Sequence, residues 1–395
     1  MLKILLISDF TSEYSRLLLK GFFRYSMKMD SWSFYRIPLD CDDHYEDKVI
    51  EIAQRWGADA IMGQLSDVDV ERLRSIGIPI VLQNYTNRVN GISNITGDYY
   101  GTGEIAANFF LKKGYTNFAF YGTDTTIWSR EREDGYRSRL AEIGKNVYVY
   151  NEHSNIRYNS TSNIHDLEKW LANLPKPIAL FACDDSFALR ITEVCGVCNI
   201  RIPSDISVLG VDNDEILCNM SNPPLSSIVL DTENGGFRAA QLLHQIVEKK
   251  ELPQFNIEIT PIRIERRSST EGYLIKDELV SKAIQLIENG NLQLTIIEIL
   301  NTLCVSRRVL EKHFRKEIGM SIYQYMLDYR ANCFSEQLLI SDLPIMDIAI
   351  NLGYDDYTLL SKTFKRIYNM TPTQYRNYYK YGKINNGINL KNEKQ

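Results

Sequence analysis

A change of periodicity near residue 270 restricts this chain more than any other feature. From residue 1 to about 231, short β-rich runs alternate with helical stretches; after Asp277 the strand signal vanishes, and helical periodicity runs almost unbroken to Tyr379. Candidate strands are Lys3–Ser8, Ala58–Gln64, Ile78–Asn84, Asn117–Gly122, Ile178–Cys183, Ile206–Asp212 and Ser226–Asp231. Several are continuous apolar runs, such as Ile178-Ala179-Leu180-Phe181-Ala182, as expected of parallel strands covered by helices on both faces. Amphipathic stretches lie between them, including Glu13–Met27, Tyr45–Trp56, Gly103–Lys113 and Asp185–Cys195. Repeated strand–helix units imply an α/β architecture with right-handed crossovers. The strands are too many for one comfortable sheet, so two lobes are expected. Ile257–Glu265 reads as a single alternating strand, and the polar run Arg266–Gly272 marks a domain boundary. The expected organisation is an α/β domain over 1–268, a linker over 269–276, an all-α domain over 277–380 and a disordered tail over 381–395.

Composition narrows the function classes. At 395 residues the chain exceeds one ordinary core. No run of about 18 apolar residues offers a membrane span. Met1–Asp9 has one lysine and no small-residue cleavage site, so it reads as a first strand, with a cytoplasmic location as the consequence. Seven scattered cysteines do not make a disulfide framework, and the one tempting spacing, Cys195-Gly196-Val197-Cys198, lacks a second ligand pair. The five histidines show no metal-ligand spacing and no nucleophile–histidine motif appears, so neither metal, cofactor nor catalysis is expected. Gly97-Asp98-Tyr99-Tyr100-Gly101-Thr102-Gly103 lacks the lysine of a phosphate loop and reads instead as a segment crossing between lobes. The net charge is −5, but it is uneven: residues from Glu271 onward hold 16 basic and 14 acidic groups, against 29 and 36 before them. An acidic front with a mildly basic back suits a sensor joined to a nucleic-acid binder, though the asymmetry is small.

Two C-terminal segments share one pattern. Ile296–Ile318 and Ile345–Ile367 each read as a short helix, a tight turn and a second helix opening on a polar residue. Ser306 is placed to cap its helix, and Asp355 or Asp356 to do likewise. Gly353 supplies the positive φ such a turn needs. Leu310, Phe314 and Ile318, and then Leu360, Phe364 and Ile367, should face the core. Arg308, Glu311, Lys312 and Arg315, with Arg307 at the helix head, then lie outside, as do Thr358, Ser361, Lys362 and Lys365 in the second copy. Such faces can enter a major groove. One basic amphipathic helix is more often a solvated surface; two copies with the same internal spacing point to double-stranded DNA. The closing run Ile348-Ala349, Gly353-Tyr354, Phe364-Lys365-Arg366, Met370-Thr371-Pro372-Thr373-Gln374-Tyr375-Arg376 follows the signature of the AraC/XylS family, and residues 277–379 resemble that family's DNA-binding domain. The resemblance implies base contacts by Arg308, Glu311 and Lys312 in the first unit and by Tyr357, Thr358 and Lys362 in the second, joined by a linking helix over Ser321–Ile340. Leu300 and Cys304 depart from the family's usual alanine and glycine.

Upstream, Cys183-Asp184-Asp185-Ser186-Phe187-Ala188, Ile202-Pro203-Ser204-Asp205-Ile206-Ser207-Val208-Leu209-Gly210-Val211-Asp212-Asn213 and Pro223-Pro224-Leu225-Ser226 resemble the LacI-type and periplasmic sugar-binding fold, over roughly residues 1–270. That implies a two-lobed type I sensor for xylose or another monosaccharide. Asp184 and Asp212 follow strands at the edge where open α/β sheets bind ligands, and paired hydrogen bonds to hydroxyls are their chemistry. Asp185, opening a helix, reads as a cap. Arg132 matches the family's ligand-binding arginine. Arg16, Gln83 and Asp98 are further candidates, and Trp128 could stack on a sugar ring. The whole resembles an activating regulator working as a homodimer, with RNA polymerase a candidate partner. The rival is a sugar-binding module whose helical tail docks a protein.

Overall fold

A computed structural model describes residues 1–8, 11–29, 32–38, 45–65, 70–152, 161–249, 256–271, 274–275, 277–290, 292–354, 357–368 and 370–379. The tail 381–395, Cys41 and the expected caps Asp355 and Asp356 lie outside them. The chain forms two compact units.

The first unit runs β1 (Leu2–Ile7), α1 (Glu13–Ser26), β2 (Trp32–Ile37), α2 (Tyr45–Trp56), β3 (Ala60–Leu65), α3 (Val70–Arg74), β4 (Ile80–Asn84), β5 (Ser93–Gly97), α4 (Tyr99–Lys112), β6 (Phe118–Thr123), α5 (Ile127–Ala141), β7 (Val147–Glu152), α6 (Thr161–Asn173), β8 (Ile178–Ala182), α7 (Asp185–Val197), β9 (Ile206–Val211), α8 (Glu215–Met220), β10 (Ser226–Leu230), α9 (Thr232–Lys249), β11 (Ile257–Ile259) and β12 (Pro261–Glu265). Two six-stranded sheets result, ordered β11-β5-β4-β3-β1-β2 and β12-β10-β9-β8-β6-β7, one in each lobe. Pairings are parallel except for β12 against β10. The apolar runs explain the centre of the second lobe: every residue of β6, β8 and β9 is buried.

Three strands escaped the sequence reading. β2 and β7 lie at sheet edges and mix polar with apolar residues, and β5 is polar. Buried Asn94 in β5 satisfies its amide by donating to the Val89 carbonyl at 2.9 Å and to Asn256 Oδ1 at 3.0 Å. The single strand expected over Ile257–Glu265 is two strands in different sheets. Pro261 has no N–H to continue a ladder, and the Thr260 carbonyl accepts instead from the Asp231 N–H at 2.9 Å.

The chain crosses between lobes three times: at Asp98 between β5 and α4, at Asp231 between β10 and α9, and at Thr260. The expectation that Gly97–Gly103 is such a crossing holds. The Asp98 N–H donates to the Ile259 carbonyl at 3.0 Å, so the crossings brace one another. Helices α1 and α9 pack together on the first lobe. A Cβ at Gly21 would lie 1.7 Å from the Glu233 carbonyl oxygen, and one at Gly236 would lie 1.8 Å from that of Leu18. No other residue type permits that approach.

The second unit is all-helical: α10 (Glu278–Asn289), α11 (Ile296–Leu303), α12 (Arg307–Ile318), α13 (Ile322–Ile340), α14 (Ile345–Asn351), α15 (Tyr357–Tyr368) and α16 (Pro372–Tyr379). Val280, Ile284, Ile299, Leu310, Phe314 and Tyr325 share one core. Phe334, Phe364 and Tyr375 build another around ring contacts of 5.6 and 5.1 Å. Helix α13 serves both. Its nineteen residues make a rod of about 28 Å.

Candidate functional site

Both sheets of the first unit change winding direction at an interior strand pair: β1 and β3 in the first lobe, β6 and β8 in the second. Side chains at the C-terminal ends of those strands therefore face a crevice. On the first lobe, Ser8 and Ser15 donate to Gln64 Oε1 at 3.2 and 2.9 Å. Gln64 donates to Gln83 Oε1 at 2.9 Å, and Gln83 donates to the Tyr14 hydroxyl oxygen at 3.1 Å. Burial, then the neighbouring Tyr99 and Asp212, holds the Tyr14 hydroxyl well above a phenol's usual value. It stays neutral, with its own proton free to donate.

On the second lobe, Arg132 projects from α5 with only 2% of its side chain exposed. It donates to the Cys183 carbonyl at 2.5 Å, and its guanidinium carbon lies 5.5 Å from the Tyr99 ring centre. Its Nη2 stands 3.7 Å from Asp212 Oδ1, too far for a good hydrogen bond. Arg132 Nε and Asp212 Oδ1 are buried without hydrogen-bond partners among the described residues. Burial pushes the Asp212 carboxyl up to about 6, with Arg132 opposing it. Unpaired buried groups of this kind are costly, and hydroxyls of a small ligand would satisfy both. Asp212 adopts φ +99°, a left-handed backbone that aims its carboxylate off the end of β9. Trp128, at the start of α5, meets Tyr85, just after β4, edge to face at 5.3 Å.

Other expectations need correction. Asp184, not Asp185, caps α7: its Oδ1 accepts from the Ser186 and Phe187 N–H groups at 2.9 and 3.0 Å, and its Oδ2 faces the Cys183 thiol at 3.9 Å. Asp185 is buried and accepts from Ser227 Oγ at 2.6 Å and the Asp214 N–H at 2.8 Å, fastening the loop that carries Asp212. Asp98 turns its Oδ1 to the Gly101 N–H at 2.8 Å in the first turn of α4, where it braces the crossing. Arg16 is held by Glu13 at 2.8 Å and the Thr11 carbonyl at 2.7 Å, and lies 3.7 Å from Asp214 across the lobes. It is a cross-lobe tie, matched by Arg88, which pairs with Glu131 of α5. Tyr14, Gln64, Tyr85 and Tyr99 are crevice residues that the sequence reading missed; the available signal was their place at the C-terminal end of a strand, for Gln64, or in the segment that follows one, for the three tyrosines.

In the second unit, α11 opens on a capping box between Thr295 and Glu298 and ends at Cys304 with φ +53°. That left-handed turn is the conformation glycine adopts most readily, and here Cys304 occupies it. Gly353 has φ +77° at the matching turn. Ser306 caps α12 by accepting from the Val309 N–H. Arg307, Arg308, Lys312 and Arg315 are exposed on α12, and Thr358, Lys362 and Lys365 on α15. Tyr357 and Ser361 are half-buried, as is Glu311, which turns to the flank and pairs with Arg315 at 3.5 Å. Signature residues serve the scaffold. Arg376 is buried and donates to the Leu338 and Leu343 carbonyls at 3.2 and 2.7 Å, satisfying the end of α13 and the turn after it.

Comparison with known proteins agrees with this division. Residues 107–270 match the periplasmic binding protein-like domain, and residues 299–378 match a helix-turn-helix domain. The xylose operon regulatory protein of Escherichia coli (strain K12) is 27% identical over 384 residues, covering 95% of this chain and 96% of that one. Its namesake from Haemophilus influenzae is 28% identical over 280 residues, covering 69% and 72%. A solved xylose-binding transcription activator superposes with a TM-score of 0.59 at 26% identity, covering 95% of this chain and 97% of that one. The chain is a sugar-sensing, DNA-binding transcription regulator built like the xylose operon regulatory proteins, with a periplasmic-binding-protein-like sensor joined to an AraC-type helix-turn-helix domain.

Proposed function

We propose that a monosaccharide, xylose first among the candidates, binds in the crevice between the lobes and controls promoter binding by the C-terminal helices. The observation that carries this reading is the pairing of buried Arg132 with half-buried Asp212, held 3.7 Å apart with Arg132 Nε and Asp212 Oδ1 buried and unmatched. The names of the relatives support xylose. Arg132, Asp212, Asp184, Gln83 and Trp128 contact the sugar in this reading, and Arg307, Arg308, Lys312, Arg315, Tyr357, Thr358, Lys362 and Lys365 contact DNA. Residues 1–268 are the sensor, 269–276 the linker and 277–380 the DNA-binding domain. Sugar closes the lobes, and closure shifts a cytoplasmic homodimer toward activation, with RNA polymerase as its partner on DNA. No helix among the described residues is long and apolar enough to cross a membrane.

A thermal-shift screen of pentoses and hexoses tests the first half, because a specific ligand stabilises the folded state by mass action. No shift with any sugar counts against it. The second half predicts promoter binding with a steep salt dependence, weakened by Lys362→Ala while sugar affinity stays unchanged. Salt-insensitive or absent DNA binding would return the protein-docking alternative. Sedimentation reads the dimer.

Sugar affinity should also follow pH. The Asp212 carboxyl titrates near 6 in the folded protein, above its ordinary value, so its contribution to stability is present below about 4 and lost as pH rises through 6. Sugar hydroxyls donate to the ionised form, so protons compete with sugar. Affinity is expected to be level above pH 7 and to fall as pH drops through 6. Asp212→Asn should flatten that profile, and an unchanged profile in the variant assigns the titration elsewhere.

A further inference from the structure

The third residue of each groove-facing helix is apolar and exposed: Val309 in α12 at 43% and Leu359 in α15 at 39%. Exposed apolar residues scattered singly over a surface are ordinary. These two are distinguished by position. They stand fifty residues apart at the same register of the two helices, as do Leu310 and Leu360, Phe314 and Phe364, and Lys312 and Lys362. At about 100° per residue, Val309, Lys312 and Lys316 fall in one stripe, opposite the buried Leu310 and Phe314. Leu359, Lys362 and Arg366 form the equivalent stripe opposite Leu360 and Phe364. Lys312, Lys316, Lys362 and Arg366 are all exposed, with Arg366 paired to Asp328 of α13 at 2.7 Å, whereas Glu311 and Ser361 are half-buried on the flank. Each apolar side chain therefore sits beside a lysine suited to phosphates, Lys312 in α12 and Lys362 in α15, on the face that would approach base edges.

An apolar group on such a face has one complementary feature in a major groove, the C5 methyl of thymine. We propose that Val309 and Leu359 determine specificity by seating against thymine methyls, one beneath each of the two helices of a bound protomer. The surrounding cations favour duplex DNA over an apolar protein partner. This inference rests on the reading of the second unit as a DNA binder.

The test begins with duplexes selected in vitro by the full-length chain. Each thymine is then replaced singly by deoxyuridine, which removes only the methyl. Loss of one buried methyl corresponds to about a fourfold fall in affinity. Two positions for each bound protomer are expected to show it with the unaltered protein. Val309→Ala should abolish the effect at one and Leu359→Ala at the other, with salt dependence unchanged because the cations remain. Both side chains are exposed, so neither substitution opens a core. Sequence-selective binding that is indifferent to every deoxyuridine, or sensitive positions unaltered in both variants, overturns this inference alone. Absence of sequence-selective binding overturns the DNA-binding reading and this inference with it.

Discussion

Arg132→Met is expected to lower sugar affinity by roughly ten- to two-hundredfold, the loss of a hydrogen bond from a charged donor to a sugar hydroxyl. The guanidinium anchors the Cys183 carbonyl and faces Asp212, so its removal also leaves a buried carboxyl without its cation. That second consequence destabilises the sensor and would by itself mimic a binding defect. The double variant Arg132→Met/Asp212→Asn separates the two, because a neutral amide removes the uncompensated charge. Its thermal midpoint should recover relative to the single variant while sugar binding stays lost. Calorimetric titration alongside thermal melts reads both quantities. Sugar binding of parental strength in a folded Arg132→Met protein would remove the crevice from the reading.

Phe364→Ala should have the largest effect on the C-terminal unit. Phe364 is fully buried, and its ring meets Phe334 at 5.6 Å, Tyr368 at 4.4 Å and Tyr375 at 5.1 Å. Truncating a phenylalanine in such a site costs about 3–5 kcal/mol, a large share of the stability of a small helical unit. The second helix-turn-helix is expected to melt and DNA affinity to collapse. Sugar binding should persist, since the sensor has its own core around Leu5, Ile61 and Leu82. Scanning calorimetry with DNA and sugar titrations on one preparation checks this. DNA affinity within twofold of the parent would mean that α15 is not held by this core.

Much of the scaffold could be read from one dimension. Continuous apolar runs identified β6, β8 and β9 because strands covered on both faces tolerate no polar alternation. Helix α12 was legible from its serine cap and apolar spacing, and α13 as the linking helix that the family resemblance implies. Edge strands β2 and β7 were not, because half-exposed strands dilute the same signal. Arg132 and Asp212 were legible through their placement and their resemblance to a known family. The roles of Asp184 and Asp185 were not, since two adjacent carboxylates at a helix start offer the same chemistry, and only the backbone direction selects which one caps.

Local order thus determined by itself that an α/β sensor precedes two similar helix-turn-helix units, because periodicity, caps and turn residues act over a few positions. Tertiary structure alone decided that Ile257–Glu265 divides between two sheets, that Arg16 and Asp98 tie the chain to itself, and that Val309 and Leu359 occupy the outer face in place of Glu311 and Ser361. Those outcomes depend on which groups remain unsatisfied after distant segments pack, and no local pattern carries that information.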